Sequence, residues 1–575
     1  MRELSTDILI LGSGGAGLFA ALHAQQANPA LSITIAVKGL LGKCGCTRMV
    51  QGGYNVALAE GDSVERHFMD TIEGGKWLPD QDLAWKLVTL AIERIHELEN
   101  ELGCFFDRNP DGTIHQKAFA GQTFDRTVHK GDLTGIEIIN RLAEQVWARG
   151  IGRLEEHRAL DFILDAQGSA VAGVLMVDMR SGDYVLVRAR AVLLATGGGP
   201  TMYRYHTPSG DKSCDGLAMA LRAGLPLRDM EMVQFHPTGL LAGTDTRMTG
   251  TVLEEGLRGA GGYLLDGDRQ RFMQRYDERG ERATRDIVSR AIFAEMRAGR
   301  TTPNGGVYLS MSHLGPENVR RSFKGMVERC ADCGFDLAGG VVEVVPTAHY
   351  LMGGVEFALD CTTELRGLYV AGEDSGGVHG ANRLGGNGVA NSTVFGGVAG
   401  ETMAAALAEG LHAALPVVDR LQLQAALARA EHAFHTPARG DLESIREGLY
   451  ACMWDDAGIV RDAAGLQRAA GTLEALAGEL DGYGLPSAAR DRGFNLAWHD
   501  VLNLGNLIAV SRVIVQAAIA RENSRGAHFR ADFPEPGDLA TSTFTRVRDR
   551  EGALAVDAVP VRFTRVAPGS SLLSA

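Results

Sequence analysis

The sequence predicts an α/β protein whose largest part is a Rossmann-like domain. Three short apolar runs, each typical of a buried strand, end directly in glycines: TDILILGSGGAGLF at the start, ARAVLLATGGG at residues 189–199, and GLYVAGEDSGG from residue 367. Such strand-to-glycine junctions are typical of folds that bring bare backbone close to a bound nucleotide. Because the three junctions lie far apart in the chain, they favour one nucleotide-binding domain assembled from distant segments.

The remaining intervals suggest how the rest of the chain is organised. We predict that residues 1–236 and 347–414 form the discontinuous nucleotide-binding domain and that residues 237–346, which break its pattern, form an inserted domain. Residues 415–535 are expected to be helical, because stretches such as LQRAAGTLEALAGEL place apolar residues at helical spacing. Residues 536–575 return to β-like alternation and are predicted as a C-terminal extension.

Composition narrows the function classes. The 575-residue chain carries a net charge of −14, which argues against nucleic acid and against electrostatic docking on an anionic membrane. The apolar stretch NLIAVSRVIVQAAIA contains an arginine and is interpreted as a buried helix, so we expect no direct membrane insertion. The eight cysteines show no disulfide framework and the first strand leaves no room for a leader, so we expect a cytoplasmic location.

The first junction carries a phosphate-binding pattern. Gly12, Gly14 and Gly17 follow the order G-x-G-x-x-G, in which the glycines permit a tight turn, a close approach of backbone to pyrophosphate, and packing of helix on strand. Lys38 stands after the next strand, where an acidic residue often contacts the ribose. This lysine disfavours ordinary NAD recognition.

A series of motifs then points to a family. Between the N-terminal glycine motif and RENSRGAHFRADFP at residues 521–534, a span of about nine tenths of the chain, the following motifs occur in this order: QGGYNVAL, GDLTG, ATGGG, QFHPTG, EEGLRGAGG, TRDIVSR, TAHYLMGG and HGANRLGGN. With these motifs the chain resembles the flavoprotein subunits of succinate dehydrogenase and fumarate reductase, whose relatives include L-aspartate oxidase. The resemblance implies an α/β FAD-binding (Rossmann-like) domain with an inserted α+β capping domain and a C-terminal helical domain.

The resemblance also implies where FAD binds. The stretch NGVANSTVFGGVAGETMAAAL predicts a helix that begins near residue 388, and its N-terminus would face an anionic reduced flavin. The residues expected to bind FAD are Gly12, Ser13, Gly14, Gly15, Ala16, Lys38, Cys46, Thr47, Gln51, Gly52, Gly53, Thr196, Gly197, Gly198, Asp215, Glu373, Arg383, Asn387, Gly388 and Val389.

Substrate and catalytic roles are carried over in the same way. The resemblance implies that Arg285 exchanges a proton with a C4 dicarboxylate, and that Glu255 and Arg258 relay this proton to solvent. A dianion that leaves water needs fixed positive partners, and guanidinium matches a carboxylate with two hydrogen bonds. The expected catalytic residues are Arg285, Glu255, Arg258 and His236, and the expected substrate-binding residues are Phe119, His236, Glu254, His349 and Arg383.

Taken alone, several of these residues have plainer interpretations. Arg285 could be an arginine at a helix N-terminus that pairs with Asp286 or Glu281, and the two histidines could be satisfied core residues. The pair Cys330 and Cys333 forms a single CxxC, which without a second pair is weak evidence for a metal or redox site. We therefore predict no metal site.

The chain departs from the family pattern at two positions. Cys46 occupies the place where the respiratory enzymes have a histidine that carries flavin covalently, so we expect noncovalent FAD and a tendency toward fumarate reduction or oxidase chemistry. Glu254 replaces a threonine that helps to bind a substrate carboxylate, and a carboxylate about 5 Å from substrate charge costs roughly 3 kcal/mol. Glu254 could turn aside, pair with Arg247, be protonated, or face the ammonium group of a substrate such as aspartate.

These observations predict an FAD-dependent oxidoreductase that interconverts succinate and fumarate, or a close C4 dicarboxylate. We expect it to be the flavoprotein subunit of a complex with an iron–sulfur subunit, peripheral on the cytoplasmic face of the inner membrane through its partners. The alternative is an L-aspartate oxidase that acts alone. A module that only relays electrons is a further alternative, which the complete set of arginines and histidines disfavours.

Overall fold

The computed structural model describes residues 1–243, 246 and 248–573. The strands in these residues are β1 (Arg2–Leu11), β2 (Ile33–Val37), β3 (Tyr54–Asn55), β4 (Gln116–Lys117), β5 (Thr127–Val128), β6 (Gly152–Glu155), β7 (His157–Leu164), β8 (Val171–Asp178), β9 (Tyr184–Leu194), β10 (Leu227–Arg228), β11 (Val233–Leu240), β12 (Tyr263–Leu265), β13 (Val307–Ser310), β14 (Val341–Leu351), β15 (Gly354–Val355), β16 (Leu368–Val370), β17 (Thr543–Arg550) and β18 (Ala553–Pro560). The α-helices are α1 (Gly15–Ala27), α2 (Val64–Gly74), α3 (Gln81–Asn100), α4 (Thr134–Ala148), α5 (Asp215–Arg222), α6 (Gly256–Gly259), α7 (Arg285–Arg297), α8 (Pro316–Ser322), α9 (Lys324–Asp332), α10 (Asn387–Ala408), α11 (Arg420–His435), α12 (Leu442–Asp455), α13 (Ala463–Asp481) and α14 (Leu496–Ala520).

The central sheet brings the three glycine junctions together. Its strand order is β6-β2-β1-β9-β8-β7, and β16 also pairs with β9. Strands β1, β9 and β16 are parallel neighbours, so their carboxyl ends, each followed by a glycine junction, lie at one edge. Ile8 to Leu11 of β1 are fully buried, as expected for a central parallel strand covered on both faces. The predicted α/β FAD-binding fold is confirmed.

Two long helices cover this sheet beside the junctions. Helix α1 follows β1 directly and packs against α10. A Cβ on Gly400 would lie 2.3 Å from the carbonyl oxygen of Ala20, so the two helix backbones approach more closely than any side chain allows. This contact places the N-terminus of α10 next to the first glycine junction.

The inserted interval has a sheet and an apolar core of its own. Its antiparallel sheet has the order β11-β14-β13-β12, and helices α6 to α9 lie within it. Residues such as Leu240, Leu264, Ile292 and Val344 form a separate buried cluster. The predicted boundaries at 236 and 347 fall inside β11 and β14, which pair with each other, so the insertion begins and ends within two continuous strands.

The C-terminal part is helical, as expected, and then forms a hairpin. Helix α14, which contains the stretch interpreted as a buried helix, has the length and the mean hydropathy, 1.5, of a membrane-spanning segment. It packs against α13, α5 and β17, and 56% of its most apolar window is buried within the structure. Strands β17 and β18 pair with each other, and β17 pairs with β10, so the predicted extension packs against a strand that directly precedes the inserted interval.

Candidate active site

A cavity of 580 Å³ lies where the glycine junctions meet the inserted interval. All but three of the predicted site residues line it; Arg258, Gly198 and Asn387 do not. The predicted residues that line it are Gly12, Ser13, Gly14, Gly15, Ala16, Lys38, Cys46, Thr47, Gln51, Gly52, Gly53, Phe119, Thr196, Gly197, Asp215, His236, Glu254, Glu255, Arg285, His349, Glu373, Arg383, Gly388 and Val389.

One end of the cavity is a backbone cradle suited to a dinucleotide. Gly12 has φ +111°, and a Cβ on it would lie 2.1 Å from the carbonyl oxygen of Ala195, so only glycine fits between β1 and β9. The backbone N–H of Gly15, at the start of α1, donates to Thr47 Oγ1 at 3.1 Å. A helix N-terminus on bare backbone suits a pyrophosphate, and this end of the cavity therefore fits FAD.

Lys38 is held at this end of the cavity by the carboxylate of Asp215. Its Nζ donates to Asp215 Oδ2 at 2.9 Å, and Arg158 donates to the other oxygen of Asp215 at 2.7 Å. Burial alone would raise the pKa of Asp215, but Arg158 and Lys38 hold it below its ordinary value. Lys38 therefore lies in the cavity wall as part of a fixed charge network.

Glu373 and Asp374 connect two of the glycine junctions. Glu373 Oε1 accepts from the backbone N–H groups of Gly199 and Leu351 at 3.3 and 3.0 Å, and Asp374 Oδ2 accepts from Gly197 at 2.9 Å. Burial raises the pKa of Glu373 to about 7 and that of Asp374 to about 6. Gly198 lies against Glu373 rather than at the cavity surface.

Asn387 has a structural position behind the cavity. Its Oδ1 accepts hydrogen bonds from Asn55 and His67, both at 2.9 Å, and its Nδ2 donates to Thr71 at 3.1 Å. These contacts fix the first turn of α10, whose next residues, Gly388 and Val389, line the cavity.

The other end of the cavity collects positive charge around one glutamine. Arg285 Nη1 and Arg383 Nη2 both donate to Gln234 Oε1, at 3.0 and 3.1 Å. The guanidinium of Arg383 also lies 4.5 Å from the centre of the Tyr350 ring. Burial and the neighbouring Arg285 lower the pKa of Arg383 to about 10. Neither Gln234 nor Tyr350 was among the predicted site residues, although Gln234 belongs to the motif QFHPTG.

Glu255 lies between two arginines. It accepts from Arg285 Nη2 at 2.8 Å and from Arg258 Nη2 at 2.9 Å. Burial would raise the pKa of Glu255, but the two arginines lower it. Arg258 is fully buried behind this pair and also donates to the carbonyl oxygen of Glu281 at 2.7 Å.

Arg285 does not form an ion pair with Asp286 or Glu281, the two partners that its plainer interpretation offered. Glu281 pairs with Arg271 at 2.6 Å, and Asp286 lies 3.5 Å from Arg290. Arg285 instead pairs with Glu255, and three of its nitrogens take part in hydrogen bonds to Glu255 and Gln234.

His236 and His349 lie side by side at the same end of the cavity. Their ring centres are 5.3 Å apart, and Nδ1 of His349 is 2.8 Å from Thr207 Oγ1. Burial and then the nearby Arg285 lower the pKa of both histidines well below its ordinary value. Phe119 contacts this region through its ring, which lies against Gly52 and Gly385.

Glu254 pairs with a lysine that the sequence reasoning did not identify. Its Oε2 accepts from Lys117 Nζ at 3.0 Å, and Lys117 comes from β4, outside the inserted interval. Arg247, which was considered as its partner, lies outside the described residues.

The cysteines give no sign of a metal site. Cys46 lines the cavity, and burial raises the pKa of its thiol to about 12. Cys330 is fully buried in the core of the inserted interval. Within the described residues, no three His, Cys, Asp or Glu side chains are grouped to hold a metal ion.

Comparisons with known proteins identify the family of this chain. A family model described as FAD binding domain matches residues 7–389, and one described as fumarate reductase flavoprotein C-term matches residues 446–571. A fumarate reductase (CoM/CoB) subunit from Methanothermobacter marburgensis is 40% identical over 535 residues, which cover 92% of this chain and 94% of that one. The 8-methylmenaquinol:fumarate reductase flavoprotein subunit of Wolinella succinogenes is 36% identical and covers 93% and 87%.

The fold comparison gives the same result. A solved structure of a mutant Escherichia coli quinol fumarate reductase superposes with a TM-score of 0.92 at 34% identity and covers 99% of both chains. The predicted resemblance is thereby confirmed over nearly the whole length. The chain belongs to the family of fumarate reductase and succinate dehydrogenase flavoprotein subunits, which are FAD-dependent oxidoreductases.

Proposed function

We propose that this protein interconverts succinate and fumarate and works physiologically as a fumarate reductase. The observation that carries the proposal is the arrangement of Arg285 and Arg383 around Gln234, beside His236 and His349, at the end of the cavity opposite the dinucleotide cradle. Glu255 pairs with Arg285, whereas no carboxylate of the described residues forms an ion pair with Arg383, whose charge an anion from outside can balance. A C4 dicarboxylate supplies two carboxylates, which Arg383 and the two histidines can bind.

The substrate is held by the buried donors at this end. Arg383 and the two histidines bind its carboxylates, and Phe119 packs on its carbon chain. Desolvation makes these interactions stronger than in water, and the planar guanidinium fixes the orientation of the dianion. FAD, when bound, supplies the hydride acceptor and donor of the reaction.

Arg285 moves the proton. In the direction of fumarate reduction it donates a proton from its guanidinium to one of the two central carbons of the substrate. Glu255, 2.8 Å from Arg285, passes a proton to Arg285 and takes one from Arg258, 2.9 Å away, in the same event, so that Glu255 ends as a carboxylate and Arg258 recovers its proton from solvent. An isolated arginine is a poor acid, so the coupled carboxylate is what makes the transfer feasible.

We further propose that FAD is bound noncovalently and that an iron–sulfur protein exchanges electrons with it. Support comes from Cys46 in the position of the flavin-linking histidine, and from relatives that are named as subunits. Those names include CoM/CoB in one relative and 8-methylmenaquinol in another. Attachment to a membrane would come through the partners.

A steady-state assay tests the proposal. The purified FAD-loaded protein should reduce fumarate with a reduced viologen dye and oxidise succinate more slowly. Turnover of L-aspartate with formation of hydrogen peroxide, and no reaction with fumarate, would instead indicate the aspartate oxidase alternative. Iron measured in the complex purified from its native host tests the partner.

A further inference from the structure

An ion pair connects two distant segments at the substrate end of the cavity. Lys117 Nζ lies 3.0 Å from Glu254 Oε2, and the two residues are 137 positions apart in the chain. Lys117 ends β4, whereas Glu254 lies in the inserted interval. Both are largely removed from solvent, with side chains 18% and 4% exposed.

Glu254 belongs to the cavity wall. It lines the cavity together with Glu255, Arg285 and His236, and it directly precedes Glu255 in the chain. A buried carboxylate at this position repels a dicarboxylate dianion, because few water molecules screen the two charges. Unless a positive charge compensates that of Glu254, the cavity should bind a dicarboxylate dianion weakly.

Lys117 is the cation that contacts this carboxylate. Burial raises the pKa of Glu254, and Lys117 is the strongest influence that opposes the shift. Two further charges lie nearby in the cavity wall, Asp132 and Arg329. Arg329 donates to the carbonyl oxygen of Val252 at 3.2 Å, and within the described residues only Lys117 forms an ion pair with Glu254.

We propose that Lys117 is a positioning residue for substrate binding, which compensates the charge of Glu254 so that the cavity accepts a dicarboxylate dianion. Lys117 itself does not line the cavity and acts through Glu254. The proposal rests on the dicarboxylate substrate argued above. It predicts that the need for Lys117 disappears when Glu254 carries no charge.

A double-mutant cycle tests this dependence. Lys117→Met removes the charge and keeps an apolar chain beside Phe119, whereas Glu254→Gln removes the opposite charge at constant size. In Lys117→Met we expect the KM for fumarate to rise about tenfold or more at mildly alkaline pH, with kcat within about threefold of the parent. In the double variant the KM should return to within about threefold of Glu254→Gln alone.

A binding measurement separates charge compensation from a structural effect. Calorimetric titration with malonate, a dicarboxylate that has no carbon pair to oxidise, should show the same pattern in Kd. Lys130→Met makes the same charge change at a lysine that lies near Asp107 instead, and should leave KM and Kd unchanged. FAD content and melting temperature, measured for every variant, report on folding.

Two results would overturn the proposal. One is an unchanged KM and Kd in Lys117→Met; the other is an equal rise in KM with glutamate or glutamine at position 254, which would mean that Lys117 acts on the substrate directly or on the fold. A parent protein that neither reduces fumarate nor binds malonate would overturn the proposed function as well, and is recognised before any variant is made.

Discussion

Arg285 and Arg383 donate hydrogen bonds to the same atom, Oε1 of Gln234, at 3.0 and 3.1 Å. Two buried cations are thus held close together by a neutral acceptor, and of the two only Arg285 forms an ion pair within the described residues, with Glu255 at 2.8 Å. Buried charges of one sign are costly unless something offsets them. Glu255 offsets the charge of Arg285, a dicarboxylate in this cavity would offset that of Arg383, and Gln234 holds the two guanidinium groups in place.

The first prediction concerns this glutamine. Gln234→Glu should place a carboxylate between the two arginines and compete with the substrate for their charge. Repulsion of about 3 kcal/mol, expected for charges roughly 5 Å apart, corresponds to a loss of malonate affinity of about a hundredfold. Calorimetric titration measures it.

Gln234→Met is the matched control, because it removes the acceptor without adding charge and should weaken binding far less. Malonate affinity in Gln234→Glu equal to that of the parent would mean that these arginines do not bind the dicarboxylate.

Local patterns in the sequence were sufficient to predict the framework. Apolar runs that end in glycines identified β1, β9 and β16, and the parallel pairing of these strands explains why their junctions meet. The family motifs also named His236, Arg285, His349 and Arg383, which come from four separate parts of the chain and line one cavity.

Contacts between distant segments were beyond sequence reasoning. The pairing of Lys117 with Glu254 depends on how β4 lies against the inserted interval, and no local pattern encodes that distance. Gln234 stood within a recognised motif, but its role depends on two arginines that reach it from elsewhere. Asn387 was assigned to the cofactor from its position near a helix start, whereas its side chain holds Asn55 and His67.

The second prediction concerns the proton donor. Arg285→Lys keeps a positive charge beside Glu255 but loses the forked geometry that contacts Glu255 and Gln234 together. We expect kcat for fumarate reduction to fall by about a hundredfold to ten-thousandfold, the range typical of a lost general acid, with a smaller change in malonate affinity. Steady-state kinetics with a viologen dye provide the measurement.

Arg282→Lys serves as the control for Arg285→Lys, since Arg282 is exposed three residues earlier in the chain. A kcat for Arg285→Lys within tenfold of the parent would assign the proton to another group.

The third prediction is a dependence of stability on pH. Burial and neighbouring arginines lower the pKa of His349 from its ordinary value of 6.5, so below that pH the unfolded chain binds a proton that the folded protein does not. Stability attributable to His349 is therefore complete above about pH 6.5 and is lost as the pH falls. In His349→Gln the free energy of unfolding should depend less on pH below about pH 6.5, with a slope smaller by up to about 1.4 kcal/mol per pH unit. Urea unfolding between about pH 5 and pH 7 measures the slope.

Thr207→Val tests whether titration, and not lost contact, causes the change. It removes the hydroxyl that lies 2.8 Å from His349 Nδ1 but keeps the imidazole. This variant should be less stable at every pH with the slope of the parent. Equal slopes in the parent and in His349→Gln would show that His349 does not titrate on unfolding.

The fourth prediction concerns the attachment of FAD. Covalent attachment through sulfur needs a thiolate, and burial raises the pKa of Cys46 to about 12, so the thiol stays protonated near neutral pH. Acid precipitation of the purified protein should leave a colourless pellet and a yellow supernatant that contains all of the FAD. Cys46→Ser should bind FAD in the same stoichiometry, as should Cys44→Ser, its neighbour in the cavity wall. A yellow pellet that becomes colourless only in Cys46→Ser would identify Cys46 as the attachment point and would contradict noncovalent binding.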